Sequence, residues 1–114
     1  MIFYETGCCG GIVLTQSSDH IMVSPGEDAV ITCIVSESIY LSTWKVDGLA
    51  WTQHRPGQNG RGLIFDAVKR ISGIPEKYVG FGSGREFRLT IKGAGEGDEG
   101  RYYCHQYAQL PYTQ

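Results

Sequence analysis

Apolar and polar residues alternate along several short segments of this chain, and the spacing of a long helix does not appear. The clearest segment is 86–91, where Phe87, Leu89 and Ile91 share one face and the other face is polar. Such a period of two is typical of a β-strand with one buried side. Strands are predicted at residues 12–15, 29–35, 49–53, 62–65, 78–81, 86–91 and 101–107.

Turn-forming residues separate these segments. Proline or glycine clusters occur at residues 24–26, 55–57, 73–75, 82–84 and 93–100, and the last of these has room for one short helical turn. Glycine supplies 16 of the 114 residues, about twice its usual share of ~7%. Short strands with turns at intervals of about 8–12 residues indicate a sandwich or barrel. We therefore predict an all-β fold.

Length and composition restrict the domain count and the partners. A chain of 114 residues that is 41% hydrophobic can bury one core, and its net charge is −2. That charge argues against a nucleic-acid or anionic-membrane partner, since both require a basic surface. We assign the domain to residues 11–114. Residues 1–10 lack the basic start and apolar stretch of a signal peptide, and we interpret them as a remnant of a leader or of an expression vector.

The four cysteines occur in two different contexts. Cys33 and Cys104 lie about 70 residues apart in strand-like segments, whereas a metal site needs clustered ligands. Their placement is typical of a bridge between buried strands, which indicates an oxidising, extracellular compartment and a secreted protein. Cys8 and Cys9 fall in the predicted remnant; a disulfide to another chain and a metal pair with His20 are the alternatives.

The order and spacing of Cys33, Trp51 and Cys104 are similar to those of immunoglobulin variable domains, and residues 98–104 resemble that family's Asp-x-Gly/Ala-x-Tyr-x-Cys motif. The chain resembles kappa light chains in particular, over residues 11–113. The kappa-like segments are residues 12–17, 23–27, 55–58, 73–76, 80–84 and 105–113.

The resemblance implies an immunoglobulin-like two-sheet Greek-key sandwich of the V type. It also implies a Cys33–Cys104 disulfide beneath Trp51, and a Tyr102 hydroxyl that bonds back to upstream backbone. Lys77 and Asp98 stand where the family places an ion pair.

The sequence departs from the kappa pattern in several ways. The family's final strand, which the joining segment encodes, is lacking, so we expect an open edge along residues 102–107 that favours pairing with another chain. Phe81 falls on an outer face by alternation. Together with a small Ala94 where the family has leucine, these features predict a marginally stable, aggregation-prone domain.

The surface that meets a heavy chain in the family is also altered. His54 stands where the family has an interface glutamine and Gly62 where it has a leucine, whereas Tyr103 is retained. A heavy-chain variable domain is the partner that the family implies, but loss of area at the centre of an interface weakens binding.

Antigen binding through three hypervariable loops, residues 34–50, 66–72 and 105–113, is the leading functional hypothesis. Paratopes favour rigid aromatic contacts. The candidate antigen contacts are Tyr40, Trp44, Asp66, Tyr107, Leu110 and Tyr112. For the aromatic residues the alternative is a loop that packs on itself, and for the polar second loop, with Lys69 and Arg70, it is a solvated surface.

A self-associating module, homodimeric or aggregation-prone and without a heavy-chain partner, is the second hypothesis. A stand-alone cell-surface module that has lost its partner is a third. We predict no enzymatic activity, no catalytic residue, no cofactor and no metal site. The sequence contains neither Gly-x-Ser-x-Gly nor His-Glu-x-x-His, and residues 80–84 lack the Lys-Ser/Thr that a phosphate loop requires.

Overall fold

A computed structural model gives the fold of the chain and describes residues 11–21 and 24–109, together with the backbone of residues 2–4. Within these residues a short 3-10 helix covers Glu96–Asp98, inside the glycine-rich segment. The strands are β1 (Ile2–Tyr4), β2 (Leu14–Gln16), β3 (His20–Ile21), β4 (Ala29–Val35), β5 (Tyr40–Leu41), β6 (Val46–Asp47), β7 (Leu49–His54), β8 (Arg61–Phe65), β9 (Lys69–Arg70), β10 (Tyr78–Ser83), β11 (Glu86–Ile91) and β12 (Gly100–Gln106).

These strands form two five-stranded antiparallel sheets and one separate hairpin. The first sheet has the order β1-β2-β4-β11-β10, the second has the order β3-β12-β7-β8-β9, and β5 pairs with β6 alone. The backbone of residues 2–4, in the segment predicted to precede the domain, lies along β2. The all-β fold predicted from the alternation is confirmed, and of the two alternatives, a sandwich or a barrel, the structure is a sandwich.

Alternation along β4 and β11 builds half of the core. Phe87 lies opposite Cys33 and Leu89 lies opposite Ile31 across the two strands, and all four side chains are fully buried. The residues between them face solvent, as the period of two requires. Phe81 is 68% exposed on β10, which confirms its predicted position on an outer face.

A disulfide joins the two sheets. Cys33 on β4 and Cys104 on β12 are bonded, with their Cα atoms 6.4 Å apart. Trp51 on β7 lies directly across from Cys104 and is fully buried. The predicted bridge is confirmed, and closing a loop of this length stabilises the fold by about 4 kcal/mol in the chain-entropy model.

A buried polar cluster closes the end of the sandwich at the 3-10 helix. The Asp98 carboxylate accepts hydrogen bonds from the Lys77 ammonium and the Tyr78 hydroxyl, and from the Gly95 N–H at 2.9 Å. The Tyr102 hydroxyl donates to the backbone carbonyl of Asp98 at 2.5 Å. Both contacts that the resemblance implied, the Lys77–Asp98 ion pair and the Tyr102 hydroxyl bond to upstream backbone, are confirmed.

The outer edge of β12 is covered where we expected it to be open. The Tyr102 N–H donates to the Asp19 carbonyl at 2.7 Å. The fully buried Gln16 side chain donates from Nε2 to the Tyr102 carbonyl at 2.9 Å and accepts at Oε1 from the Cys104 N–H at 2.7 Å. The expectation of an open edge is wrong for these groups, because one side-chain amide supplies the donor and the acceptor that a neighbouring strand would supply.

The charge of Asp98 makes the fold sensitive to acid. Burial of the carboxyl opposes ionisation, but the hydrogen bonds from Lys77, Tyr78 and Gly95 and the charge of Lys77 outweigh it and hold the pKa of Asp98 below its usual value of 3.8. A carboxyl with a lowered folded-state pKa stabilises the fold fully above the unfolded pKa. That stabilisation is lost as the pH falls through the folded-state pKa.

We predict that Asp98→Asn lowers the free energy of unfolding at neutral pH by about 1–3 kcal/mol, since hydrogen bonds to a charged acceptor are lost. Its stability should also change less than that of the wild type between about pH 5 and pH 2. Urea unfolding at a series of pH values measures both effects. Glu76→Gln, at an exposed position, is the control for removal of a carboxylate charge; equal acid sensitivity of wild type and Asp98→Asn would contradict the prediction.

Candidate binding site at the loop end

The structure brings three of the predicted contact residues to one place. Trp44, Asp66 and Tyr107 line an open cavity of about 380 Å³. Tyr40 lies nearby in sequence on β5 and is exposed, but it is not among the residues that line the cavity. Leu110 and Tyr112 lie outside the described residues, so their predicted role stays a prediction.

The β5–β6 hairpin forms the apolar wall of the cavity. Its turn is closed by the N–H groups of Trp44 and Lys45, which both donate to the Leu41 carbonyl at 3.1 and 2.7 Å. Trp44 is thereby held at the tip and is 73% exposed. Leu41 and Val46 pair across the hairpin and line the cavity beside the indole.

The hairpin is tied to the core at its base. The Gly48 N–H donates to the Ile39 carbonyl at 2.8 Å, and the Ile39 side chain is fully buried. The alternation pattern did not predict this hairpin, because two strands of two residues each are too short to show a period. Leu41 and Val46 were missed as lining residues for the same reason.

A tight turn after β8 forms the polar wall. Asp66 and Ala67 adopt φ values of 49° and 69°; backbone of this kind costs about 1–3 kcal/mol per residue and persists only where its surroundings hold it. The Ala67 N–H donates to the Leu49 carbonyl at 2.8 Å. On the other side, a Cβ at Gly80 would lie 2.4 Å from the Ala67 carbonyl oxygen. Glycine at position 80 therefore lets β10 pass close beneath the turn.

Tyr107 joins the third loop to the second. Its hydroxyl donates to the Asp66 carboxylate and accepts from the Asp66 N–H at 2.8 Å. Burial, together with the hydrogen bond to the Asp66 carboxylate, raises the pKa of Tyr107 to about 12. The phenol is therefore neutral at physiological pH and keeps its O–H for this bond.

An ion pair stands at the rim of the polar wall. The Lys69 ammonium lies 3.3 Å from Oδ2 of Asp66, and the Lys69 side chain is 52% exposed whereas that of Asp66 is only 20% exposed. Solvent at the cavity is therefore in contact with the Lys69 ammonium more than with the Asp66 carboxylate. With an indole and aliphatic side chains opposite, the arrangement suits non-covalent binding of a ligand with one apolar and one polar edge.

The predicted partner-domain interface residues lie on the second sheet. The rings of His54 on β7 and Tyr103 on β12 meet edge to face, with centroids 5.6 Å apart. A Cβ at Gly60 would lie 2.6 Å from the His54 ring, and a Cβ at Gly62 would lie 2.6 Å from Cδ1 of Ile71. The space that larger side chains would fill on this face is therefore occupied by His54 and Ile71, which the sequence did not indicate.

The sequence matches no protein-family model. In the described part of the chain, no helix has the length and apolar character needed to cross a membrane. Across residues 11–21 and 24–109, no three His, Cys, Asp or Glu side chains come together in a way that could hold a metal ion.

We predict that Gly80→Ala destabilises the protein by about 1–3 kcal/mol, because the added methyl group overpacks against backbone that cannot rotate away. Urea unfolding measures the change. Gly97→Ala is the control, since nothing lies within 4 Å of a Cβ at that position. If both variants unfold at the same urea concentration as the wild type, the close approach of β10 to the turn at Ala67 does not constrain the fold.

Proposed function

We propose that this chain is an immunoglobulin kappa-like light-chain variable domain, with a V-type Greek-key topology, that binds antigen through its loop end. The single observation that carries the proposal is the open cavity at Trp44, Asp66 and Tyr107, to which three separate predicted loops each contribute one of these residues. The kappa-like motifs and the disulfide between the sheets support the same assignment.

The rigidity of the loop end supports a role in recognition. The Tyr107 hydroxyl bonds to Asp66, the Tyr107 N–H donates to the Gly48 carbonyl at 3.0 Å, and the Ala67 N–H donates to the Leu49 carbonyl. Loops that are already held in place lose little conformational entropy when a ligand binds. A rigid scaffold that presents aromatic side chains on tied loops is the arrangement that paratopes use.

The proposed setting is extracellular. A buried disulfide between sheets forms and persists in an oxidising compartment, which agrees with a secreted domain. The heavy-chain partner that the resemblance implies remains part of the proposal, but with a weakened interface at His54 and Gly62.

Self-association is the second candidate function, and it is favoured by the state of the partner face, which is the surface of the second sheet around His54, Gly62 and Tyr103. Ile71 covers Gly62 but is itself exposed, and Tyr103 remains as an aromatic contact beside His54. Apolar surface is thus still present on the sheet face where a second copy of the chain would pack.

For antigen recognition, we expect a ligand selected from a library of peptides and small molecules to lose about tenfold or more in affinity with Trp44→Ala or Asp66→Ala, because buried contacts at the centre of a site carry most of the binding energy. Surface plasmon resonance with the full chain gives the Kd values. Phe81→Ser, on the outer face of the other sheet, should bind as the wild type does. A ligand whose binding is lost in Tyr103→Ala but unchanged in Trp44→Ala and Asp66→Ala would show that the binding site lies on the partner face instead.

For the oligomeric state, we expect sedimentation of the purified chain to show a monomer that associates only when a heavy-chain variable domain is added. Ile71→Asp should then leave the sedimentation of the isolated chain unchanged. A dimer that grows with concentration and disappears in Ile71→Asp would instead establish self-association through the partner face.

A further inference from the structure

We propose that the loop-end cavity binds an aryl anion, that is, a flat aromatic group of one or two rings that carries a carboxylate or similar anionic group at one edge. This inference rests on the proposed function, because it specifies the ligand chemistry of the same site. Two walls of different chemistry and the charges around them define the ligand.

The apolar wall selects the aromatic part of the ligand. Leu41, Val46 and the indole of Trp44 line it, and 73% of the Trp44 side chain is exposed. An exposed indole offers a face on which a second ring can stack, and burying that ring also removes apolar surface from water. The cavity of about 380 Å³ lies near the lower end of the range of about 300–1,000 Å³ for small-molecule pockets, so a small ring system fits better than an extended chain.

The polar wall selects the charge. Both oxygens of the Asp66 carboxylate are engaged inside the protein, Oδ1 by the Tyr107 hydroxyl and Oδ2 by the Lys69 ammonium. An ammonium has three N–H donors, and Asp66 takes one of those of Lys69. The other two belong to a side chain that is 52% exposed and whose Nζ lies 5.9 Å from the centre of the Phe65 ring, so an incoming anion can pair with Lys69 without breaking the ion pair.

Other charged residues in the hairpin tip and the turn also favour an anionic ligand. Lys45 precedes Val46 at the hairpin tip and Arg70 follows Lys69, and both side chains are exposed. In the hairpin tip and the turn that carry the two walls, Lys45, Lys69 and Arg70 stand beside the acidic Asp47 and Asp66, whereas the whole chain carries a net charge of −2. A cationic ligand would have to displace Lys69 from Asp66 and approach further cations, at an electrostatic cost.

The test uses three probes that share one ring system. The purified full chain is titrated with 2-naphthoate, with the neutral 2-naphthamide and with the cationic 2-naphthylmethylammonium, and Kd values are taken from amide chemical shifts by NMR. We expect 2-naphthoate to bind about tenfold more tightly than the amide and the cation to bind most weakly.

Variants assign the effect to particular side chains. Lys69→Met should weaken 2-naphthoate to the level of the amide and leave the amide unchanged, whereas Lys69→Arg should retain the preference for the anion. Trp44→Ala should weaken all three probes. Lys92→Met is the matched control, since Lys92 is an exposed lysine that follows β11 at the other end of the sandwich, and it should bind as the wild type does.

A peptide that ends in a phenylalanine carboxylate distinguishes the two sources of this chemistry. Tighter binding of the peptide than of 2-naphthoate would identify a polypeptide chain end as the ligand, and tighter binding of 2-naphthoate would identify a small molecule. Either result supports the proposal if it also depends on Lys69.

The proposal is overturned if the anion and the amide bind equally, if the cation binds best, if Lys69→Met changes nothing, or if no probe binds. In each of these cases a selected antigen that still loses affinity with Trp44→Ala or Asp66→Ala would leave the proposed function standing. If the probes bind as expected but the affinity of the selected antigen is unchanged in both variants, the proposed function is contradicted and the aryl-anion site still stands.

Discussion

The contact between the two sheets at Cys33, Cys104 and Trp51 is the constraint on which the other features depend. The disulfide fixes β4 of one sheet to β12 of the other, and Trp51 fills the space beside it on β7. The indole Nε1 has no hydrogen-bond partner among the described residues, so packing rather than a polar contact determines where the ring lies. Because β12 and β7 run from this point to the loop end, the positions of Tyr107 and Leu49 follow from it.

Hydrogen bonds from β7 and from the residue after β12 fix the position of the turn that forms the polar wall of the cavity. Leu49, at the start of β7, holds the turn at Ala67, and Tyr107, just after β12, holds Asp66. The turn itself is strained, and it is kept in place from beneath by β10 at Gly80. The polar wall of the cavity is therefore shaped by residues of the scaffold as much as by the residues that line it.

The sequence predicted the parts of the fold in which one residue type repeats with a period. β4 and β11 are long enough for alternation to show, and the structure places their strands over the predicted residues. The hairpin that carries Trp44 could not be predicted this way, because its strands have two residues each and its geometry depends on Ile39 packing into the core. Resemblance, rather than periodicity, identified Trp44, Asp66 and Tyr107; that they share one cavity required the three-dimensional fold.

One missed feature did leave a signal in the sequence. Gln16 follows Leu14 by two positions and so falls on the inward face of β2, where an amide is out of place unless it is fully hydrogen-bonded. Its position predicts a backbone partner in the opposite sheet, and the structure supplies Tyr102 and Cys104. The covering of the β12 edge could thus have been inferred, whereas the filling of Gly62 by Ile71 could not, since nothing local links two residues nine positions apart on different segments.

The state of the partner face determines how much a second domain could add to the binding site. On that face His54 and Ile71 fold back over Gly60 and Gly62, so a second domain would bury less area there than larger side chains at the two glycines would provide, although Ile71 and Tyr103 still offer apolar surface. A pocket built between two domains would then be held by a weak interface. A cavity formed by the hairpin, the turn and Tyr107 of a single chain needs no such interface, and its shape is set by the same disulfide that sets the fold.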